Sequence, residues 1–257
     1  MSNQYECIVI GAGPGGYVAA IRLAQLGVKV AIVEKQKTLG GTCLNWGCIP
    51  SKALLDSSEH YHQAKHKFDV HGIKVKDLKV DLKQMMKRKD DVVKNTTQGI
   101  DYLMKKNKID TIYGHATFES ESTISVSQAK TKESYEANQF IIATGSTYTP
   151  LKPVPVDKKR IVTSDEAISL KEVPKHFIVI GGGVIGVELG SVYARLGSKV
   201  TVIEYMDRLI PTMDKDLGKA LQRSFKGLDM NFEFNTMVTG AKVNKNEVNL
   251  TAKTKDG

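Results

Sequence analysis

The chain has 257 residues, 41% of them apolar and 25% charged, with a formal net charge of +9. That length and apolar content suffice for one large or two ordinary α/β domains and exclude a disordered default. The lysine excess would suit anionic partners, but no basic stripe carries interleaved aromatics, so no nucleic-acid partner is expected.

The first twenty residues lack a basic flank, and glycines cut the apolar run CIVI after Ile10. Neither a signal peptide nor a membrane span is expected. The expected location is the cytoplasm, or the mitochondrial matrix if a presequence has been removed. Cys7, within that run, reads as a small buried core residue. GAGPGG then places Gly11, Gly13 and Gly16, with Pro14 and Gly15, between a run of strand length and a helical stretch ending in Leu-Gly. A second apolar run follows and ends on Glu34. Strand, glycine turn, helix, strand and acid is the order of a βαβ dinucleotide-binding unit.

Residues 40–52 read GGTCLNWGCIPSK. A structural disulfide is not favoured inside a cell. A metal site would want more soft ligands than are near, the closest imidazoles being His60 and His62, so no metal is expected. Five residues along a regular α-helix rise about 7.5 Å, more than the roughly 7 Å a disulfide tolerates between Cα atoms, so a bridge between Cys43 and Cys48 requires an irregular segment. Asn45 and Gly47 supply turn-tolerant positions, and Pro50 suits the first turn of a helix over SKALLDSSEHYHQAK. Cys48 would then stand near that helix's N-terminus, where a thiolate is stabilised. An accessible dithiol there suits redox chemistry better than bracing, but these residues alone leave the pairing open.

Residues 52–108 are lysine-rich with interleaved aspartates and read as helical with a solvated face, and His60, His62, His66 and His71 are expected to face water. LKPVPVDKKR, with two prolines, marks a crossing near residue 150. Beyond it the first unit recurs. CIVIGAGPGGYVAAIRLAQLGVKVAIVEK from Cys7 lies over FIVIGGGVIGVELGSVYARLGSKVTVIEY from Phe177 at a constant offset of 170, without a gap. Gly181, Gly183 and Gly186 repeat the three spaced glycines. Glu204 repeats Glu34, each 23 residues after its first glycine (34 − 11 and 204 − 181). A glutamate there accepts hydrogen bonds from an adenosine ribose and repels a 2′-phosphate, which favours FAD or NAD over NADP. Arg208 is the one residue placed to soften that preference. Two dinucleotides in one chain point to electron transfer between cofactors, and the cysteine pair becomes a plausible third member.

Together the two glycine-rich units, GGTCLNWGCIPSK, IIATGS and GGGVIGVELG resemble the pyridine nucleotide-disulfide oxidoreductases, in the family's order and over essentially the whole chain. Leu44, Ile49-Pro50-Ser51, VELGSVYARLG and DRLIPTMD are more similar to its dihydrolipoyl dehydrogenases than to its glutathione or mercuric reductases. The resemblance implies an α/β fold of two Rossmann-like βαβ dinucleotide-binding domains. These would be an FAD domain over 1–150, with a helical excursion at 52–108, and an incomplete NAD domain over 151–257. It implies a redox-active disulfide in which Cys43 meets the substrate sulfur and Cys48 lies beside the flavin. Lys52 would stand near flavin N5, with Glu188 as its acidic partner on the nicotinamide side. FAD would be lined by Gly11, Gly13, Pro14, Gly15, Gly16, Glu34, Lys35, Gly41, Thr42, Lys52, Ala116 in GHATF, Thr144, Gly145 and Ser146. NAD would be lined by Gly181, Gly183, Val184, Ile185, Gly186, Glu188, Glu204 and Val238. Val184 stands where some relatives carry an aromatic gate over the flavin.

The implied reaction oxidises protein-bound dihydrolipoyl groups to lipoyl with NAD as acceptor. The implied partners are lipoyl domains of 2-oxoacid dehydrogenase or glycine cleavage complexes, and a second copy in a full-length homodimer. The family pattern also calls for residues beyond 257: a Gly-Asp that binds FAD, and a dimerisation domain whose His-Glu pair supplies the general base. This chain alone is therefore expected to turn over little or no dihydrolipoamide. The alternatives are another disulfide reductase of the family, and an FAD/NAD-binding module without catalysis.

Overall fold

The computed structural model describes residues 3–255 apart from 130 and 246. The chain divides into two compact units, residues 1–50 with 90–147, and residues 51–89 with 148–257.

In chain order the elements begin with Gln4–Ile10 (β1), Pro14–Gln25 (α1), Val30–Glu34 (β2), Gly41–Asn45 (α2) and Cys48–His66 (α3). A 3₁₀ turn at Phe68–His71 leads to Leu82–Lys106 (α4), then Asp110–Tyr113 (β3), His115–Phe118 (β4), Thr123–Gln128 (β5) and Thr131–Ile142 (β6). A long irregular segment ends at Ser164–Ala167 (α5). His176–Ile180 (β7), Val184–Arg195 (α6), Lys199–Ile203 (β8), Lys215–Ser224 (α7), Met230–Glu233 (β9), Thr236–Val243 (β10) and Val248–Thr254 (β11) complete it.

The first unit is built on a six-stranded sheet in the order β3-β2-β1-β6-β5-β4. The first four strands run parallel, and β5 and β4 are added antiparallel. The two-residue period of β1 explains the layering. Cys7 and Val9 pack with Ile32, α1 residue Ala20 and Met104, while Ile8 and Ile10 point to the opposite face with Val33 and Ile124. All five residues of β2 are buried, as a strand covered on both faces requires. Each such aliphatic side chain contributes about 1.5–3 kcal/mol.

The second unit carries the parallel sheet β7-β8-β9 and the antiparallel hairpin β10-β11. Helix α6 is buried at Val187 and from Leu189 to Ala194, with Glu188 between them partly exposed. The Tyr193 hydroxyl donates to the Ala167 carbonyl at 2.5 Å. Residues 51–89 group with residues 148–257, and specific contacts hold them there. The buried Lys89 donates to Ser169 Oγ at 2.7 Å, and Arg195 Nε lies 2.9 Å from Glu59 Oε2. Both long helices thus cross a unit boundary, α3 after Pro50 and α4 after Lys89.

Candidate functional site

Each unit carries a candidate site of its own at a turn that leaves a strand of its parallel sheet. Gly11 has φ +101°, where a side chain would be strained, and its N–H donates to Val33 O at 2.8 Å. Gly16 lies so close against the Gly11 carbonyl that a Cβ has no room. Gly13 caps α1 with no side-chain hydrogen bond, and Pro14 follows it inside the helix. Pro14 has no N–H and Gly16 N donates to Gly13 O at 2.9 Å, which leaves the Gly15 amide of that first turn available to an anion. Glu34, 6% exposed, accepts from Ala12 N at 2.9 Å through Oε2 and from Gln36 N at 2.8 Å through Oε1.

The second copy reproduces this atom by atom. Gly181 has φ +99° and donates to Ile203 O at 2.8 Å, and Gly183 caps α6 without a side chain. Glu204, 7% exposed, accepts from Gly182 N at 2.5 Å and from Met206 N at 2.6 Å. The glutamates thus tie the glycine turn to the end of the neighbouring strand. Two of the roughly four lone-pair positions of each carboxylate are used this way, which leaves capacity for ribose hydroxyls. A Cβ on Gly15 or Gly183 would meet nothing within 4 Å, so backbone faces open space where a pyrophosphate would lie.

The repeat also runs further than the aligned sequence. Gly40 N donates to Ala12 O, and 170 residues on Ile210 N donates to Gly182 O, both at 2.8 Å. Leu39 and Leu209 are buried alike. Ile210 holds φ +42° where Gly40 holds +103°, so a glycine in one copy and a β-branched residue in the other hid the correspondence. The leucine pair was the available signal.

Cys43 and Cys48 form a disulfide with Cα atoms 4.6 Å apart. This is possible because the helix breaks between them: α2 ends at Asn45, Trp46 takes φ −145°, and α3 begins at Cys48. Asn45, read in the sequence only as turn-tolerant, organises the break. Its amide donates to Leu39 O at 3.0 Å and Gly41 O at 2.9 Å, while its Oδ1 accepts from Thr38 Oγ1 at 2.6 Å. A Cβ on Gly41 (φ +57°) would stand 2.6 Å from Gly13 Cα. The dithiol segment is therefore packed backbone to backbone on the first glycine turn. Cys43 is half-buried against the core, whereas Cys48 is exposed as the first residue of α3.

Lys52 lies one turn after Cys48, and its Nζ sits 2.7 and 2.8 Å from the two oxygens of Glu188 on α6. Their side chains are 57% and 26% exposed. An ion pair so exposed orients its members more than it stabilises the fold.

The remaining candidates fall around these turns, with one exception. After β6, Ala143 N donates to Ile10 O at 2.8 Å, which carries the exposed Thr144, Gly145 (φ +75°) and Ser146 past Gly11. Ala116 on β4 is two residues beyond Gly114, whose N–H donates to Glu34 O at 2.9 Å. Lys35 and Thr42 are exposed. Val184 and Ile185 are exposed at the head of α6, and Ile180, Tyr205 and Met206 are further exposed apolar residues flanking the second turn and its glutamate in the chain, unanticipated from the sequence. Val238 is the exception: its side chain is buried with Val154 and Ile203, so any nucleotide contact there falls to its backbone. Arg208 is engaged by Asp207 at 3.0 Å and by the Pro211 carbonyl at 3.1 Å. His62, expected to face water, is half-buried.

A model of the family described as pyridine nucleotide-disulphide oxidoreductase matches residues 5–257. A mitochondrial dihydrolipoyl dehydrogenase of Pisum sativum is 48% identical over 257 residues, covering all of this chain and 51% of that protein. One from Schizosaccharomyces pombe is 50% identical over 251 residues, covering 97% of this chain and 49% of that protein. Among solved structures, an HOCl-induced flavoprotein disulfide reductase of Escherichia coli superposes with a TM-score of 0.79 at 27% identity, over 97% of this chain and 53% of the other. The chain spans about half the length of the curated relatives it matches.

Proposed function

The chain belongs to the pyridine nucleotide-disulphide oxidoreductase family, and from that membership we propose that it carries the disulfide, flavin-side and nicotinamide-side machinery of a dihydrolipoyl dehydrogenase. The observation that carries this reading is the Cys43–Cys48 disulfide set directly on a glycine turn built for a dinucleotide.

FAD fits the first turn, held by the Gly15 amide at the head of α1, by Glu34 and by the Thr144-Gly145 backbone. NAD fits the second, held by the α6 amides after Gly183 and by Glu204, whose carboxylate disfavours a 2′-phosphate. When bound, the two cofactors supply acceptance of an electron pair from the dithiol and its removal as hydride.

The protein's own residues perform the exchange. One thiolate of a dihydrolipoyl group attacks Cys43 Sγ, the Cys43–Cys48 bond breaks, and Cys48 leaves as a thiolate. The second substrate thiolate then attacks its own sulfur in the mixed disulfide and releases Cys43. Two electrons have passed to the protein, and the lipoyl product carries the new S–S bond. Exposure alone would favour attack at Cys48. Leaving-group stability favours Cys43, because the departing Cys48 thiolate sits at the N-terminus of α3 and a more stable leaving thiolate departs faster. Lys52, held by Glu188, adds a fixed positive charge one turn further along. The proposed partners are lipoyl-bearing domains and a second copy of the chain. No helix among the described residues is long and apolar enough to cross a membrane.

Running the exchange backwards provides the test. NADH added anaerobically to FAD-loaded protein is expected to generate two alkylatable thiols, located at Cys43 and Cys48 by mass spectrometry, with NADPH far less effective. Oxidised lipoamide, in a single stoichiometric exchange and without turnover, should restore the disulfide and glutathione disulfide should not. Failure of NADH to produce thiols in protein with bound FAD would refute the reading. Reoxidation by glutathione disulfide alone would shift it to another reductase of the family.

A further inference from the structure

Helix α3 ends in HYHQAKH, and residues four apart on a helix share a face. The imidazole rings of His62 and His66 meet there with centroids 4.8 Å apart and planes inclined by 42°. An ion held by two imidazole nitrogens at about 2.0–2.1 Å, with an angle of roughly 90–110° at the metal, places the ring centres about 4.5–5.2 Å apart. The pair already has that separation.

We propose that His62 and His66 form a chelate for a divalent first-row transition ion, with water completing its coordination and Cu²⁺ bound more tightly than Zn²⁺. Imidazole suits both ions, and for a given nitrogen site affinity rises along the first row to copper and falls at zinc. His62 is half-buried while His66 is exposed. One ligand is thus held by packing and the other is open to solvent, which suits an exchangeable ion. Burial foremost, with the neighbouring His66, Lys67 and Arg195, holds His62 below the ordinary imidazole value of 6.5 against the opposing pull of Glu59. The nearby cations do not face the pair unopposed. Glu59 lies 2.9 Å from Arg195 Nε and 4.0 Å from Lys67 Nζ, and Lys65 Nζ is drawn over the Tyr61 ring at 5.7 Å. His60 is engaged separately, 3.5 Å from Asp56. Among the described residues no group of three or more His, Cys, Asp or Glu side chains could hold a metal, so the site rests on these two imidazoles. It uses no residue of the disulfide or the glycine turns and stands apart from the proposed function.

The test titrates CuSO₄, and separately ZnCl₂, into the 257-residue protein with its disulfide oxidised, using glycine as a competing chelator. Calorimetry is expected to show one preferred equivalent of Cu²⁺, and electron paramagnetic resonance to show nitrogen coupling from two imidazoles. His66→Gln and His62→Gln should each weaken Cu²⁺ binding by about tenfold or more, whereas His71→Gln, in the 3₁₀ turn beyond, leaves it unchanged. Circular dichroism checks that the variants keep their helix. Cu²⁺ should raise the melting temperature of the parent and not of His66→Gln. Equal affinity and an equal nitrogen pattern in parent and His66→Gln protein, or no preferred equivalent in the parent, overturns the proposal.

Discussion

Replacing Glu204 by glutamine keeps the shape of the side chain and removes its charge and one acceptor oxygen. The carboxylate is almost wholly buried and accepts from two amides, Gly182 N and Met206 N. With an amide in its place, one of those N–H groups faces the new NH₂, and donor meets donor. The loss is one charge-assisted hydrogen bond together with a desolvated, unpartnered N–H, about 2–4 kcal/mol in all. Glu34→Gln carries the same expectation through Ala12 N and Gln36 N. The two sites share no partner, so the double variant should add within about 0.5 kcal/mol. Urea denaturation reads this as a lowered midpoint at unchanged slope. A loss below about 0.5 kcal/mol in either single variant would refute the reasoning, because the amides would then have found other acceptors at no cost. The same variants separate the cofactor sites. Glu34→Gln should weaken FAD retention and leave NADH binding, and Glu204→Gln the reverse.

Gly41→Ala must push the backbones at Gly41 and Gly13 about 0.8 Å apart (3.4 − 2.6) and adds a strained residue at φ +57°; a loss of about 2–4 kcal/mol and poorer flavin retention are expected, and an unchanged melting temperature would refute the close packing on Gly13. Tyr193→Phe leaves the Ala167 carbonyl without its donor and should cost about 1–2 kcal/mol in thermal denaturation, while in the parent, burial keeps that phenol protonated well above its ordinary value of 10, as absorbance titration will show. The Gln63 hydrogen bond, helped by Arg195 and Lys67, holds Glu59 below its ordinary 4.5 in the folded chain. Its contribution is therefore complete above the unfolded value and is lost as pH falls through the lower folded one. Glu59→Gln should flatten the acid limb of the melting-temperature profile, and an unaltered limb would refute this.

The features legible in the sequence are those set by local pattern. Alternating and continuous apolar runs gave β1, β2, β7 and β8, glycine spacing gave the turns, and the five-residue cysteine spacing required the break that Trp46 and Gly47 provide. What was not legible depends on contacts distant in the chain. Nothing local to residues 51–89 shows that Lys89 will find Ser169 or that Glu59 will find Arg195. Val238 sits in a strand whose pattern does not say which face is covered, and Val154 and Ile203 cover it. Asn45 looked like a turn former because its acceptors, Leu39 O and Gly41 O, are backbone atoms with no signature of their own.

The Lys52–Glu188 pair joins the helix that starts at Cys48 to the helix that starts after Gly183. Its short distances invite a stabilising role, but exposure argues otherwise: pairs this open contribute about 0–1 kcal/mol, the Coulomb gain being offset by screening and side-chain ordering. Lys52→Met preserves the stem and removes the charge, so its melting temperature should stay within about 3 °C of the parent's. Under the proposed function the charge matters to the electrons instead, and the variant should generate thiols from NADH at least about tenfold more slowly, roughly 1.4 kcal/mol in the barrier. Glu188→Gln, which leaves the lysine charged but unheld, should fall between the two. If Lys52→Met proved markedly unstable and its rate of thiol formation unchanged, the pair would be a brace, and the role assigned to Lys52 in electron transfer would be lost.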